Sequence, residues 1–190
     1  MSERSDEMVS VIRIPRDRIA VLVGKEGSTK ARIQEISSCN IEIDSAEGEV
    51  TITASENTDP IKFTITGEVV KAIGRGFHPD KAMFLYNDGF QLIVLSLRDV
   101  AKKGSNRIGQ IKARVIGTQG KTRSIIEDIT ECFISIYGDT ISIIGDFISI
   151  KYALEAVEKL ISGKKQRSVY TYLESHANEM KSEKLSETFR

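Results

Sequence analysis

The chain has 190 residues, 40% of them hydrophobic and 28% charged, and its 27 basic and 27 acidic residues leave no net charge. That composition suits a globular protein rather than a disordered or fibrous one, and no apolar run approaches the roughly 20 residues that cross a bilayer. Two cysteines make no disulfide framework and the N-terminus is polar and mixed in charge, so a cytoplasmic protein with no membrane attachment is expected.

In chain order, Met8 to Ile14 alternates apolar and polar residues and predicts a half-buried strand. Pro15 breaks it. Arg16 to Val23 reads as a short helix ending at Gly24, and Ser28 to Ser38 as a second helix. Asn40 to Asp44 and Glu49 to Ala54 are predicted strands joined by a turn around Gly48. Asp59-Pro60 then opens a helix, with Asp suited to the N-cap and Pro to the first helical position. Its apolar spacing runs to Gly74, although the β-branched cluster Thr64-Ile65-Thr66 leaves a strand open there. Pro79 to Tyr86 starts another helix.

The order then repeats. Gln91 to Leu97 is a strand, and Ile108 to Ile116 and Lys121 to Cys132 are helices. Ile134 and Ile136 alternate with Ser135, Gly138-Asp139 has the leading glycine of a type II′ hairpin turn, and Ile141 and Ile143 continue the second arm. Ala153, Ala156, Val157, Leu160 and Ile161 form the stripe of a core-facing helix. Lys164-Lys165-Gln166-Arg167 reads as a basic hinge, followed by an amphipathic helix from Val169 to about Met180 and a frayed tail to Arg190.

Each half therefore reads β-α-α-β-β-α. Val23–Ile43 and Ile116–Ile136 align without a gap at an offset of 93, identical at eight of 21 positions, among them both glycines, Thr29/Thr122 and Cys39/Cys132. A repeat of that length implies two copies of one structural unit. The expected organisation is α+β: a first domain over 7–76, a helical linker over 77–90, a second domain over 91–163, and a hinge with a C-terminal helix over 164–190. A monomer is expected.

Two Gly-x-x-Gly loops, Gly24-Lys25-Glu26-Gly27 and Gly117-Thr118-Gln119-Gly120, each join a pair of helices. Glycines let another backbone approach closely, and the helix that follows aims free N–H groups and a positive dipole end at the same space. Lys30 and Arg32 follow the first loop; Lys121 and Arg123 follow the second, with Lys112 and Arg114 on its approach. From Lys102 to Ile126 there are seven basic residues and no acidic one, so the distribution of charge suits a nucleic acid although the sum does not. Beside the loops, Ile19, Val23, Ile41 and Ile43, and Val115, Ile116, Ile134 and Ile136, are candidates for an aliphatic floor under bases. Glu26 places an anion in the first loop and is expected to weaken it. Aspartates at Gly117 and Gly120 are expected to block phosphates while leaving the domain folded.

Other chemistries fit less well. Gly120-Lys121-Thr122 echoes the end of a P-loop, but that motif needs a glycine where Val115 stands. Cys39 and Cys132 share one repeat position and read as core residues. His78 and His176 have no ligand-spaced neighbours. No catalytic residue, metal or cofactor is expected.

The two loops, each in the right helix–strand order and each after an aliphatic residue, resemble the eukaryotic-type KH domain, which clamps about four nucleotides of single strand. The likeness covers nearly the whole chain. Val115-Ile-Gly-Thr-Gln-Gly-Lys-Thr-Arg-Ser-Ile-Ile-Glu-Asp-Ile-Thr130, Ile134-Ser-Ile-Tyr-Gly138, Ile144-Gly-Asp-Phe147 and Ile73-Gly-Arg-Gly-Phe-His-Pro79 are similar to segments of the archaeal pre-ribosomal KH proteins. The eukaryotic relatives of those proteins are the "partner of Nob one" (Dim-type) assembly factors. The resemblance implies binding of single-stranded RNA near the 3′ end of small-subunit ribosomal RNA, mainly by the second module. It also implies cooperation with a Nob-type endonuclease and a dimethyladenosine transferase. A generic tandem-KH protein of messenger regulation or RNA decay, or a KH-fold interaction scaffold using the C-terminal helix, are the alternatives.

Overall fold

The structure, a computed structural model, describes residues 8–100 and 106–188. Residue 7 of the expected first domain, Lys102 and Lys103 of the basic run, and 189–190 of the expected tail lie outside the described residues. The chain divides into two compact units, Met1–Asp88 and Gly89–Arg190. The first runs β1 (Val9–Arg13), α1 (Arg16–Val23), α2 (Ser28–Ser37), β2 (Cys39–Asp44), β3 (Glu49–Ala54) and α3 (Pro60–Gly74), followed by α4 (Pro79–Ala82) and a 3-10 turn to Tyr86. The second runs β4 (Phe90–Ser96), α5 (Arg107–Ile116), α6 (Lys121–Thr130), β5 (Phe133–Tyr137), β6 (Thr140–Asp146), α7 (Ser149–Ile161) and α8 (Gln166–Thr188). Both have the β-α-α-β-β-α order that the sequence predicts. Among the described residues no helix is long and apolar enough to cross a membrane.

Each unit has an antiparallel three-stranded sheet, ordered β1-β3-β2 and β4-β6-β5, so β2 and β5 are edge strands. The register pairs Ile41 with Ile52 and Ile134 with Ile143, and these four face the cores at 0–4% exposure. Alternation of side chains along a strand carries Glu42 and Asn40 to the opposite, exposed face. In the second unit Ile111 and Val115 of α5, Ile126 of α6 and Ala153 and Val157 of α7 close the core over the sheet.

Local chemistry sets the ends of these elements. The Asp59 carboxylate accepts the Ile61 N–H at 2.8 Å with Pro60 at the first helical position, as the sequence predicts. The Thr64-Ile65-Thr66 cluster is helical. The Thr64 and Thr66 hydroxyls donate back to the Pro60 and Lys62 carbonyls, at 3.1 and 2.7 Å, which lets β-branched polar residues sit in the helix. Ser38 and Glu131 adopt left-handed φ of 57° and 58°, so α2 and α6 stop one and two residues before their predicted ends. Gly138 has φ 54° and Asp139 is not left-handed, which makes the β5–β6 turn type II′.

The C-terminal helix is longer than predicted. It begins at Gln166, inside the expected hinge, and continues to Thr188 through most of the expected tail. It packs on α6 and α7, burying Val169, Leu173 and Met180 to 0–2% exposure, and each such side chain stabilises docking by about 1.5–3 kcal/mol. Past Met180 the apolar spacing fails, and Lys184 takes over. Its ammonium pairs with Glu131 at 2.7 Å and Asp146 at 3.1 Å. The apolar side of α8 is thus occupied by its own unit, which removes the feature that favoured an interaction scaffold.

Candidate nucleic-acid interface

The two glycine loops have the same backbone. Gly24 and Gly117 lie at φ 76° and 74°, Glu26 and Gln119 both at φ 53°, and Gly27 and Gly120 at φ 81° and 79°. Each loop needs its two glycines for different reasons. A Cβ on Gly117 would fall 2.2 Å from Thr122 Oγ1 and 2.7 Å from its Cβ, and one on Gly24 would meet Thr29 at 2.3 and 2.8 Å. The first glycine is therefore an internal packing requirement. A Cβ on Gly27 or Gly120 would meet nothing within 4 Å, so there the backbone borders open space in which a ligand can approach. The earlier expectation that aspartate at Gly117 leaves the domain intact is corrected by this overlap.

Beyond each second glycine the helix starts with no side-chain cap; its first amide, on Ser28 or Lys121, donates to the Lys25 or Thr118 carbonyl of its own loop, so it is the positive dipole end that faces an approaching anion. The middle residues differ between loops: exposed Thr118 and Gln119 in the second, exposed Lys25 and Glu26 in the first.

The basic residues divide by what already holds them. Lys121 is exposed beside the loop. Arg123 lies 3.4 Å from Glu127, one turn on. Lys112 donates to the Gly138 carbonyl at 2.8 Å, tying α5 to the β5–β6 turn. Arg114 turns away from the loop and donates to the Leu160 carbonyl at 3.0 Å, at the end of α7. Its expected place beside RNA is corrected accordingly. In the first unit Lys30 is half-buried, and Arg32 is held by Asp80 at 2.9 Å.

The aliphatic floor is narrower than expected. Val115 and Ile134, like Ile19 and Ile41, are buried in the cores at 0–7% exposure and cannot touch a base. Ile116 is 36% exposed and Ile136 half-buried, with Val23 and Ile43 their half-buried counterparts. The edge of β5 adds polar groups. The Ile134 N–H points away from β6, because the Glu127 carboxylate on α6 accepts it at 2.7 Å. Backbone groups alternate along an antiparallel strand, so the Ile136 N–H and C=O face the same open side, where a base edge can meet them. Gln34 accepts the Ile41 N–H in the same way, at 2.9 Å.

Several contributors went unnoticed in the sequence. Thr29/Thr122 were visible as repeat identities, but identity does not reveal that each packs against a glycine. Ala20 and Ala113, exposed one turn before the loops, lie at the same offset just outside the aligned window. Gln34/Glu127 differ in type while doing one job. Cys39 and Cys132 are buried, and burial pushes the Cys132 thiol up to about 12, well out of the range of a nucleophile. His78 lies at the start of α4, where its Nδ1 accepts the Asp80 N–H at 3.3 Å, and His176 Nδ1 sits 2.8 Å from the Tyr172 carbonyl.

A surface with open backbone at Gly120, a positive helix end, an exposed lysine, one exposed and one half-buried aliphatic side chain and a strand edge can hold a single nucleic-acid strand by its phosphates and read its bases. A family model for the second KH domain of PNO1, described as eukaryotic type KH-domain (KH-domain type I), matches residues 91–178, and a KH domain model matches 9–74. A KH domain-containing protein of Methanocaldococcus jannaschii is 38% identical over 177 residues, which covers 93% of this chain and 77% of that protein. A chain of the crystal structure of the a/eIF2alpha–aDim2p–rRNA complex from Pyrococcus horikoshii OT3 is 40% identical with a TM-score of 0.87, covering 93% of this chain and 98% of that one. The pre-rRNA-processing protein PNO1 of Coccidioides immitis is 31% identical over 134 residues, 70% of this chain, and this chain spans 52% of its length.

Proposed function

The chain belongs to the tandem-KH family of pre-rRNA-processing proteins that includes archaeal Dim2p, and from that premise we infer that it is an RNA-binding protein of small-subunit biogenesis whose second glycine loop grips ribosomal RNA. The observation that carries the choice of loop is Gly120: a left-handed backbone with open space before it, next to an exposed lysine and an uncapped helix end. The first loop has the same geometry with Glu26 in place of Gln119, and an anion there repels phosphate. The ligand is the single-stranded region near the 3′ end of small-subunit ribosomal RNA. The chain binds it without catalysing a reaction, and a Nob-type endonuclease and a dimethyladenosine transferase act on the RNA it presents. Family resemblance supports that address and those partners; the relative from Pyrococcus horikoshii was crystallised with rRNA and a/eIF2alpha.

The test is titration of a labelled 3′-terminal oligonucleotide with the intact chain and with Thr118→Asp/Gln119→Asp. Both side chains are exposed, so the double variant keeps its fold while placing two carboxylates where phosphates lie. Affinity should fall by at least ten-fold, roughly the loss of one or two charge-assisted hydrogen bonds. Unchanged affinity would remove the second loop from the interface.

A further inference from the structure

The two glycine loops share a backbone but not a setting. In the first unit, Val21, Gly24 and Thr29 border a cleft of about 430 Å³ that His78, Pro79 and Asp80 also line. The matching positions in the second unit are Arg114, Gly117 and Thr122, and the first two turns of α8 reach two of them. Gln166 Nε2 donates to the Arg114 carbonyl at 3.0 Å, in the last turn of the helix that enters the loop. The Tyr170 hydroxyl lies 2.8 Å from Thr122 Oγ1, in the first turn of the helix that leaves it. Thr122 is the residue that packs against Gly117, so the second contact bears directly on the loop. Gln166 and Tyr170 stand four residues apart and so share one face of α8, and the adjacent Val169 is fully buried, which fixes that turn.

We propose that Gln166 and Tyr170 are positioning residues for RNA binding, bracing both ends of the second glycine loop so that it is already in its gripping form when the strand arrives. A loop that must be ordered by its ligand gives up part of the binding free energy to that ordering, and one held beforehand does not. The C-terminal helix thereby becomes part of the RNA interface without touching RNA. Docking of α8 does not depend on these two contacts, because Val169, Leu173, Met180 and the Lys184 ion pairs secure it independently. The proposal rests on the reading that the second loop holds RNA, whereas the brace itself is a property of the free protein.

The experiment uses the full chain with Tyr170→Phe, Gln166→Ala, Thr122→Val and their combinations. Amide hydrogen exchange at residues 117–122 is measured without RNA, and dissociation of a 3′-terminal rRNA oligonucleotide with it. Loss of each hydrogen bond should raise both rates about five-fold, the equivalent of one net hydrogen bond, with the melting temperature of the unit lowered by only about 4–8 °C. Tyr170→Phe should have no added effect once Thr122 is Val, and Thr29→Val in the first unit should leave exchange at residues 24–29 as it was. Unchanged exchange in Tyr170→Phe/Gln166→Ala overturns the brace. Faster exchange with unchanged RNA dissociation overturns the positioning role. Thr118→Asp/Gln119→Asp then locates the fault. If it still abolishes binding, RNA does use the loop and only the brace is idle; if it too has no effect, the reading of the loop has failed.

Discussion

At the scale of single residues, the Gly-x-x-Gly motif conceals two unlike requirements. Gly117 has no room for a side chain because Thr122 fills the space, while Gly120 has room but a left-handed φ. Gly120→Ala should therefore destabilise the chain by about 1–2 kcal/mol, the ordinary penalty for a Cβ at such a φ. Gly117→Ala adds a steric overlap of the kind that costs a further 1–3 kcal/mol. Urea denaturation of the two variants checks the order, and equal losses would contradict it. The basic residues divide just as sharply. Lys121→Ala should flatten the salt dependence of single-strand binding by about 0.7 in logarithmic slope, the contribution of one phosphate contact. Arg114→Ala should leave the slope unchanged and lower stability instead, because its guanidinium caps the end of α7. The sequence could place both residues beside a glycine loop, since spacing fixes position along a helix. It could not tell which would be captured by a carbonyl 46 residues away. Ile134 and Ile136 show the same limit: alternation picks them out together, but only the packing buries one and half-exposes the other.

At the scale of elements, legibility followed the strength of local signals. Pro15, Asp59-Pro60 and Gly138-Asp139 are breakers, caps and turns whose geometry depends on neighbours in sequence, and all three elements begin or end where those residues require. The far end of α8 had no such signal. Its apolar stripe ends at Met180, and what extends the helix is an ion pair with partners 38 and 53 residues back. Those charges make the end of α8 sensitive to pH. Burial raises the Asp146 carboxyl, but the Ser149 hydrogen bonds and Lys184 outweigh it and hold the group below its ordinary 3.8. A depressed carboxyl stabilises the fold above its unfolded value, and that contribution is lost as pH falls through the folded one. Burial lowers Lys184, but Glu131 and Asp146 outweigh it and raise the group above 10.5, so its contribution is complete below that value and lost as pH rises through the raised one. The protection of amides over residues 180–188, exchange relative to the intrinsic rate at each pH, should therefore be steady near neutrality and fall on acidification below the carboxylate range. Lys184→Ala should show the reduced protection already at neutral pH. An acid-insensitive protection factor in the intact chain would contradict the role given to this pair.

At the scale of the whole molecule, a chain of zero net charge carries two copies of one unit, made unlike by what surrounds each loop. The repeat was the most legible feature because 93 residues separate identical glycines, threonines, isoleucines and cysteines, and each pair occupies the same structural position. What the repeat could not disclose was the asymmetry. Arg32 is held by Asp80 in the first unit, while α8 covers the flank of the loop in the second. The repeat also supplies an internal control. Lys25→Asp in the first loop, where Glu26 already opposes phosphate, should weaken RNA binding far less than Thr118→Asp/Gln119→Asp in the second. Equal losses at moderate salt would show that the two units share the strand evenly.

The central claim is that the second unit grips an unpaired strand near the 3′ end of small-subunit ribosomal RNA. The most direct measurement is competition at fixed salt between that 3′-terminal oligonucleotide, a scrambled strand of equal composition and the corresponding duplex, for the intact chain and for Thr118→Asp/Gln119→Asp. The account predicts that the native single strand displaces both competitors from the intact chain and that the variant loses this preference together with its affinity. Equal displacement by the scrambled strand, tighter binding of the duplex, or a variant that binds as well as the intact chain would contradict it.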